Sequence, residues 1–184
     1  MPPVRIDTLP TPNPDAMMFK VEEPLVTRGT FEFNAPETAG DSALPKRLFA
    51  VSGVQQVLVT SRFVTINKAG AQPWHDLVPE IKAALRAHLE SGEEAVSDQP
   101  ELSSLDTTSE MARQIIELID DEVRPALAQD GGDCQFVGLT DDKVVQVRLI
   151  GACSSCPSST ATLAFGIERL LVEEFPDIKG VIQV

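Results

Sequence analysis

Gly151-Ala152-Cys153-Ser154-Ser155-Cys156-Pro157-Ser158-Ser159-Thr160 decides how the rest of the chain is read. Two thiols stand three positions apart, after the apolar run Lys143 to Ile150 and before a helical pattern. In the first turn of a helix, positions i and i+3 are neighbours, so both sulfurs face one side. The unpaired N–H groups and positive end of that helix favour thiolate over thiol. Pro157 suits a helix start, and the hydroxyls after it can satisfy open N–H groups. The stretch therefore presents two thiolates at a strand–helix corner. Dithiol–disulfide exchange, zinc binding and iron–sulfur ligation all use such an arrangement. The glycine, proline and hydroxyl neighbours predict an exposed corner rather than a core position for Cys153 and Cys156.

Working outward, the region around the corner reads as one small domain. A helix with Ile115, Ile116, Leu118, Ile119, Val123 and Leu127 on its inner face follows Thr107 to Glu110, a capping-box pattern. Pro125 should end or kink that helix. Asp130-Gly131-Gly132-Asp133 is a turn with two glycines for backbone angles that other residues resist. Cys134 to Leu139 and Val144 to Ile150 form a hairpin. The last helix runs from about Ser158 to Phe175, and Gly180 to Val184 adds a strand. The order is α-β-β-α-β, an α+β sandwich of helices on one sheet face. Cys134 is predicted as a buried, apolar-like thiol.

Glu93 to Glu110 carries six acids (Glu93, Glu94, Asp98, Glu101, Asp106, Glu110), no base, Pro100 and several Ser and Thr. Such a composition buries too little surface to offset its chain entropy, so residues 93–109 read as an acidic linker. The competing reading is a solvated extension of a flanking helix.

Before the linker, residues 1–92 read as a second small α+β domain. Val4 to Thr8, Met17 to Glu22 and Arg28 to Phe33 are candidate strands, and Ser42 is placed to cap a short helix through Val51. Gln55 to Thr60 and Phe63 to Lys68 suggest a hairpin. Pro73 opens a helix on which Trp74, Leu77, Val78, Ile81, Leu85 and Leu89 form one apolar face, with Gly92 as its stop. Trp74 reads as a core anchor. His75 and His88 are too far apart in the helix to form a metal pair, and both read as surface or packing residues.

Composition bounds the function. The net charge of −13 over 184 residues argues against nucleic acid and against anionic membrane surfaces. No apolar run approaches a membrane span. Met1-Pro2-Pro3-Val4-Arg5 has no apolar signal core and soon reaches acids, so a cytoplasmic location is expected. Three cysteines are a poor basis for a secreted disulfide framework.

The D-G-G-D turn, the apolar hairpin, the string Cys153-Ser154-Ser155-Cys156-Pro157-Ser158-Ser159-Thr160 and the closing Gly180-Val181-Ile182-Gln183-Val184 together resemble the C-terminal domain of NifU, as found in Nfu-type iron–sulfur scaffold and carrier proteins. The resemblance covers roughly Glu110 to Val184. Thr11-Pro12-Asn13-Pro14-Asp15-Ala16, Leu48-Phe49 and Gly53-Val54 are similar, more loosely, to the Nfu N-terminal domain. The resemblance implies a non-enzymatic scaffold that receives a cluster from an upstream donor and delivers it to apo iron–sulfur client proteins. It implies Cys153 and Cys156 as the cluster and metal ligands, and gives Cys134 no ligand role. A four-iron cluster needs four thiolates, and one chain supplies two at the motif. A homodimer would supply four, so the expectation is a [4Fe–4S] cluster shared across a two-fold axis.

Two alternatives stay open from the residues. A thiol–disulfide oxidoreductase also places C-x-x-C at a strand–helix corner, but no aromatic residue precedes Cys153, and too little chain follows Cys156 to complete a thioredoxin-like fold. An S₄ zinc site between two chains would use the same four thiolates.

Overall fold

The computed structural model describes residues 4–27, 29–97, 109–154 and 157–184, with 157–163 described by their backbone alone. The chain divides into two compact units, Met1–Glu101 and Leu102–Val184, each built from helices and a sheet. Among the described residues no helix is long and apolar enough to cross a membrane.

The first unit follows the β-branched and aromatic runs of the sequence. Strands β1 (Ile6–Pro10), β2 (Ala16–Val21), β3 (Phe31–Phe33), β4 (Val54–Val59) and β5 (Phe63–Lys68) form one antiparallel sheet in the order β1-β2-β5-β4-β3. The β4–β5 pairing is the expected hairpin, with Leu58 opposite Thr65. Helices α1 (Ala43–Phe49) and α2 (Trp74–Ser91) supply Leu44, Leu48, Leu77, Ile81 and Leu85 to a core shared with Phe19, Phe33, Val57, Val59, Val64 and Ile66. Gly92 closes α2 in the left-handed conformation at φ 67°, where a Cβ would be strained.

Three details differ from the sequence reading. Ser42 precedes α1 without capping it. Its hydroxyl instead accepts from the Ser97 N–H at 3.2 Å and donates to the Ser97 carbonyl at 3.4 Å. Residues 93–97, which composition assigns to the linker, pack on this unit. Ala95 and Val96 are buried in its core, Ala95 accepts from the Leu44 N–H at 3.1 Å, and Glu93 pairs with Arg47 at 2.6 Å. Two apolar residues inside an acidic run are enough to anchor it where a matching surface lies beside it. Trp74 sits half-buried at the rim rather than at the centre of the core. Its indole N–H donates to the Pro14 carbonyl at 2.9 Å, and Lys68 Nζ stands 5.9 Å from the ring.

The second unit keeps the order α-β-β-α-β, with its first helix interrupted. Helix α3 (Glu110–Leu118) passes through one π turn, Ile119–Val123, into α4 (Arg124–Gln129). Pro125 lacks an N–H, and its ring crowds the preceding turn, so the widened turn lets the chain continue instead of stopping. Thr107 lies outside the described residues. The cap is Ser109, whose hydroxyl accepts from the Ala112 N–H at 3.1 Å. Strands β6 (Gly132–Leu139) and β7 (Val144–Gly151) pair antiparallel, with a bulge between Phe136 and Gly138. Helix α5 (Pro157–Glu174) then crosses to β8 (Gly180–Gln183), which pairs parallel with β7. Ile115, Ile119, Val123 and Leu127 meet Phe136, Val145, Val147, Leu149, Ile167, Leu171 and Val181 in this unit's core.

Candidate metal centre

The cysteine corner is built by two glycine turns tied together. Gly131 enters β6 at φ 75°, and Gly151 leaves β7 at φ 71°, both in the left-handed region. Gly132 and Gly151 face each other as a register pair, and the Ala152 N–H donates to the Gly131 carbonyl at 3.2 Å. Past Gly151 the chain turns again. The Ser154 N–H and hydroxyl both donate to the Gly151 carbonyl, at 3.2 and 2.9 Å. Cys153 is therefore fixed by backbone on both sides, and its side chain lies on Gly132. A Cβ on Gly132 would collide with Cys153 Sγ and stand 3.0 Å from both Cys153 Cβ and the Ile150 carbonyl oxygen. The second glycine of the D-G-G-D turn is thus required by the sulfur above it.

The corner is less exposed than its neighbours predict. Cys153 is 3% exposed and Ala152 likewise 3%. Cys153 belongs to the same apolar cluster as Cys134, Leu149 and Ile167. Close neighbours of small volume let the sulfur fold inward, where its packing replaces contact with water. Cys156 and Ser155 lie outside the described residues.

Cys134 is buried, as its place on an apolar strand predicts. Burial pushes its thiol up to about 12, the nearby Asp133 charge adds to that, Arg124 opposes it, and Cys153 adds again. At neutral pH Cys134 is therefore a thiol, unsuited as it stands to bind metal, which takes the thiolate.

The turn's second acid does more than shape a turn. Asp133 is 5% exposed and takes both prongs of Arg124, Nε at 2.8 Å and Nη2 at 2.7 Å. Its Oδ1 also accepts from the Cys134 N–H at 2.8 Å. Arg124 Nη1 reaches Asp120 at 2.9 Å as well. These contacts, the Asp133 bonds first, raise the Arg124 pKa further above its ordinary value. The two-pronged pair ties the start of α4 to the start of β6, and so holds the glycine turn beneath Cys153. Asp130 caps α4, and its N–H donates to Leu127 at 3.0 Å. Arg124 was not singled out from the sequence; the available signal was an acid that opens an apolar strand and so needs a cation. Among the described residues no group of three or more His, Cys, Asp or Glu converges to hold a metal ion.

His75 lies at the surface beside Asp76, at 3.0 Å. His88 is 3% exposed, and among the described residues its Nδ1 has no hydrogen-bond partner. It lines a small cleft with Glu23, Leu25 and Glu93. Burial first, then the Arg47 charge, lower its pKa, and Glu93 partly opposes this.

Two family models match the chain. Residues 6–92 match the family model described as scaffold protein Nfu/NifU N terminal, and residues 115–182 match the NifU-like domain. The chain is 37% identical to NifU-like protein 5, mitochondrial, of Arabidopsis thaliana, over 97% of this chain and 67% of that protein. It is 35% identical to the NFU1 iron-sulfur cluster scaffold homolog, mitochondrial, of Homo sapiens, over 99% of this chain and 74% of that one. A solution NMR structure of a NifU-like protein from Saccharomyces cerevisiae is 31% identical, with a TM-score of 0.48, covering 52% of this chain and 87% of that chain.

Proposed function

Because the chain belongs to the Nfu family of NifU-like proteins, we propose that it is an iron–sulfur cluster scaffold and carrier rather than an enzyme. Its cargo is a [4Fe–4S] cluster held between two protomers by Cys153 and Cys156 of each. The observation that carries the reading is the seating of Cys153, one sulfur fixed on a glycine bed at the end of β7, ahead of the α5 N-terminus. Soft thiolate donors at such a corner suit iron–sulfur chemistry. Loading exchanges the core packing of Cys153 for an iron bond, and a second chain completes the ligand set. A cluster shared at an interface is easier to pass on than one enclosed in a single core.

The remaining parts have roles in this reading. The first unit holds a cluster donor or an apo-protein client. The acidic tether, counted from after Ser97, keeps the cysteine domain at high effective concentration near that partner. Cytoplasm is the location that the chain's composition favours; the plant and human relatives are named mitochondrial, so cell fractionation is the check.

Anaerobic reconstitution with iron and sulfide tests the proposal. The expected result is about two irons and two sulfides per chain, with the protein eluting as a dimer. Cys153→Ala should bind no cluster. A full cluster on that variant, or iron bound by a monomer alone, overturns the assignment. A colourless protein with zinc would favour the tetrahedral S₄ site instead.

A further inference from the structure

The cysteine corner holds a second thiol relationship that cluster binding leaves unused. Cys153 and Cys134 are 3% and 1% exposed and sit in one apolar cluster. Cys153 Sγ occupies the space where a Gly132 side chain would begin. Cys134 follows Gly132 by two residues on β6, so it lies on the same face, roughly 7 Å further along the strand. We propose that Cys153 and Cys134 form a reversible disulfide when the cluster-free chain meets a peroxide. The bond is a modification site that protects Cys153, the sulfur seated at the corner, from irreversible oxidation.

The chemistry balances with one peroxide. The Cys153 sulfur attacks hydrogen peroxide, the O–O bond breaks, one oxygen leaves as water and the other stays on sulfur as a sulfenic acid. The Cys134 sulfur then displaces that oxygen. An S–S bond forms, the S–O bond breaks, and a second water leaves. Two thiols are oxidised to one disulfide, and one peroxide is reduced to two waters. Cys153 is 3% exposed, so the step requires the corner to open to the oxidant and then to bring the two sulfurs into bonding distance. The disulfide stands independently of the carrier proposal. Its consequence for loading, that the oxidised chain takes no cluster until it is reduced, rests on that proposal.

The test uses the full-length cluster-free chain treated with hydrogen peroxide, digested without reductant and mapped by mass spectrometry. The expected product is a Cys134–Cys153 cross-linked peptide, lost on reduction. A Cys153–Cys156 peptide as the only disulfide, or sulfinic Cys153 beside an intact Cys134 thiol, overturns the proposal. A second measurement uses Cys134→Val, which keeps an apolar side chain of similar size in the core. After peroxide and then reductant, the natural chain should recover at least about tenfold more reconstitutable cluster than the variant, because sulfinic acid is not reversed by thiols. Equal recovery overturns the protective role. If the untreated chain takes no cluster, the carrier proposal fails, while the cross-linked peptide is read independently.

Discussion

The two units bury their interiors in different ways. In the first, the core is aliphatic and aromatic from Phe19 to Leu85, and the sheet closes over five strands. In the second, three strands carry a smaller core that includes two thiols, Cys134 and Cys153. An Arg124–Asp133 pair, buried at the carboxylate and half-buried at the guanidinium, stands beside it, and a π turn breaks its first helix. The proposed metal site lies in the unit that combines buried thiols, an ion pair and a π turn. Sulfur, glycine and a half-buried ion pair hold a corner in place, where close-packed aliphatics would stabilise the fold but bind nothing.

The comparison can be broken first at the first unit's centre. Ile81 is fully buried on α2. Ile81→Ala should cost that unit about 2–5 kcal/mol and leave cluster loading by the second unit unchanged. Separate melting transitions read by calorimetry, alongside iron content, would check it; loss of loading in step with the first unit's melting would mean that the units do not act independently.

A smaller effect is expected at the glycine bed. Gly132→Ala puts a methyl group against Cys153 Sγ. It should lower the second unit's stability by about 1–3 kcal/mol, the usual range for overpacking. Cluster occupancy should fall with it, and the first unit's transition should stay put. Unchanged occupancy would show that Cys153 holds iron from a position that Gly132 does not set.

The smallest effect is a pH dependence confined to the first unit. His88 has its pKa lowered from 6.5 in the folded state, by burial and then by Arg47, with Glu93 opposing. Above about pH 6.5 both folded and unfolded chains hold it neutral, so it contributes nothing to the pH dependence. As the pH falls below that value the unfolded chain takes up a proton that the folded chain resists, and stability declines. His88→Leu should flatten the decline in the first unit's melting temperature between pH 7 and pH 5. An unchanged slope in the variant would assign the pH dependence to other groups.

What the sequence told in advance divides along the same line. The β4–β5 hairpin and α2 were legible because their periodicity is local and their ends carry turn residues such as Gly92. The burial of Cys153 was not, because it depends on Gly132, a residue far away in sequence that the hairpin returns to the corner. Arg124 was hidden for a related reason: its partner Asp133 sits across a helix end and a turn, with no periodic signal between them. Ser42 shows the limit of local rules, since its capping oxygen was taken by Ser97, more than fifty residues on. His88 was more readable than the sequence analysis allowed. It follows Leu85 by three positions and Ile81 by seven, on the stripe that faces the core.

The bulge in β6 bears on solubility. β6 is an outer strand eight residues long, and an outer strand of that length can invite another chain to add to the sheet. Between Phe136 and Gly138 the register slips, so the strand loses its regular spacing. A strand from a neighbouring molecule that pairs on one side of the slip is out of step on the other. The irregularity blunts that edge against addition of a further strand.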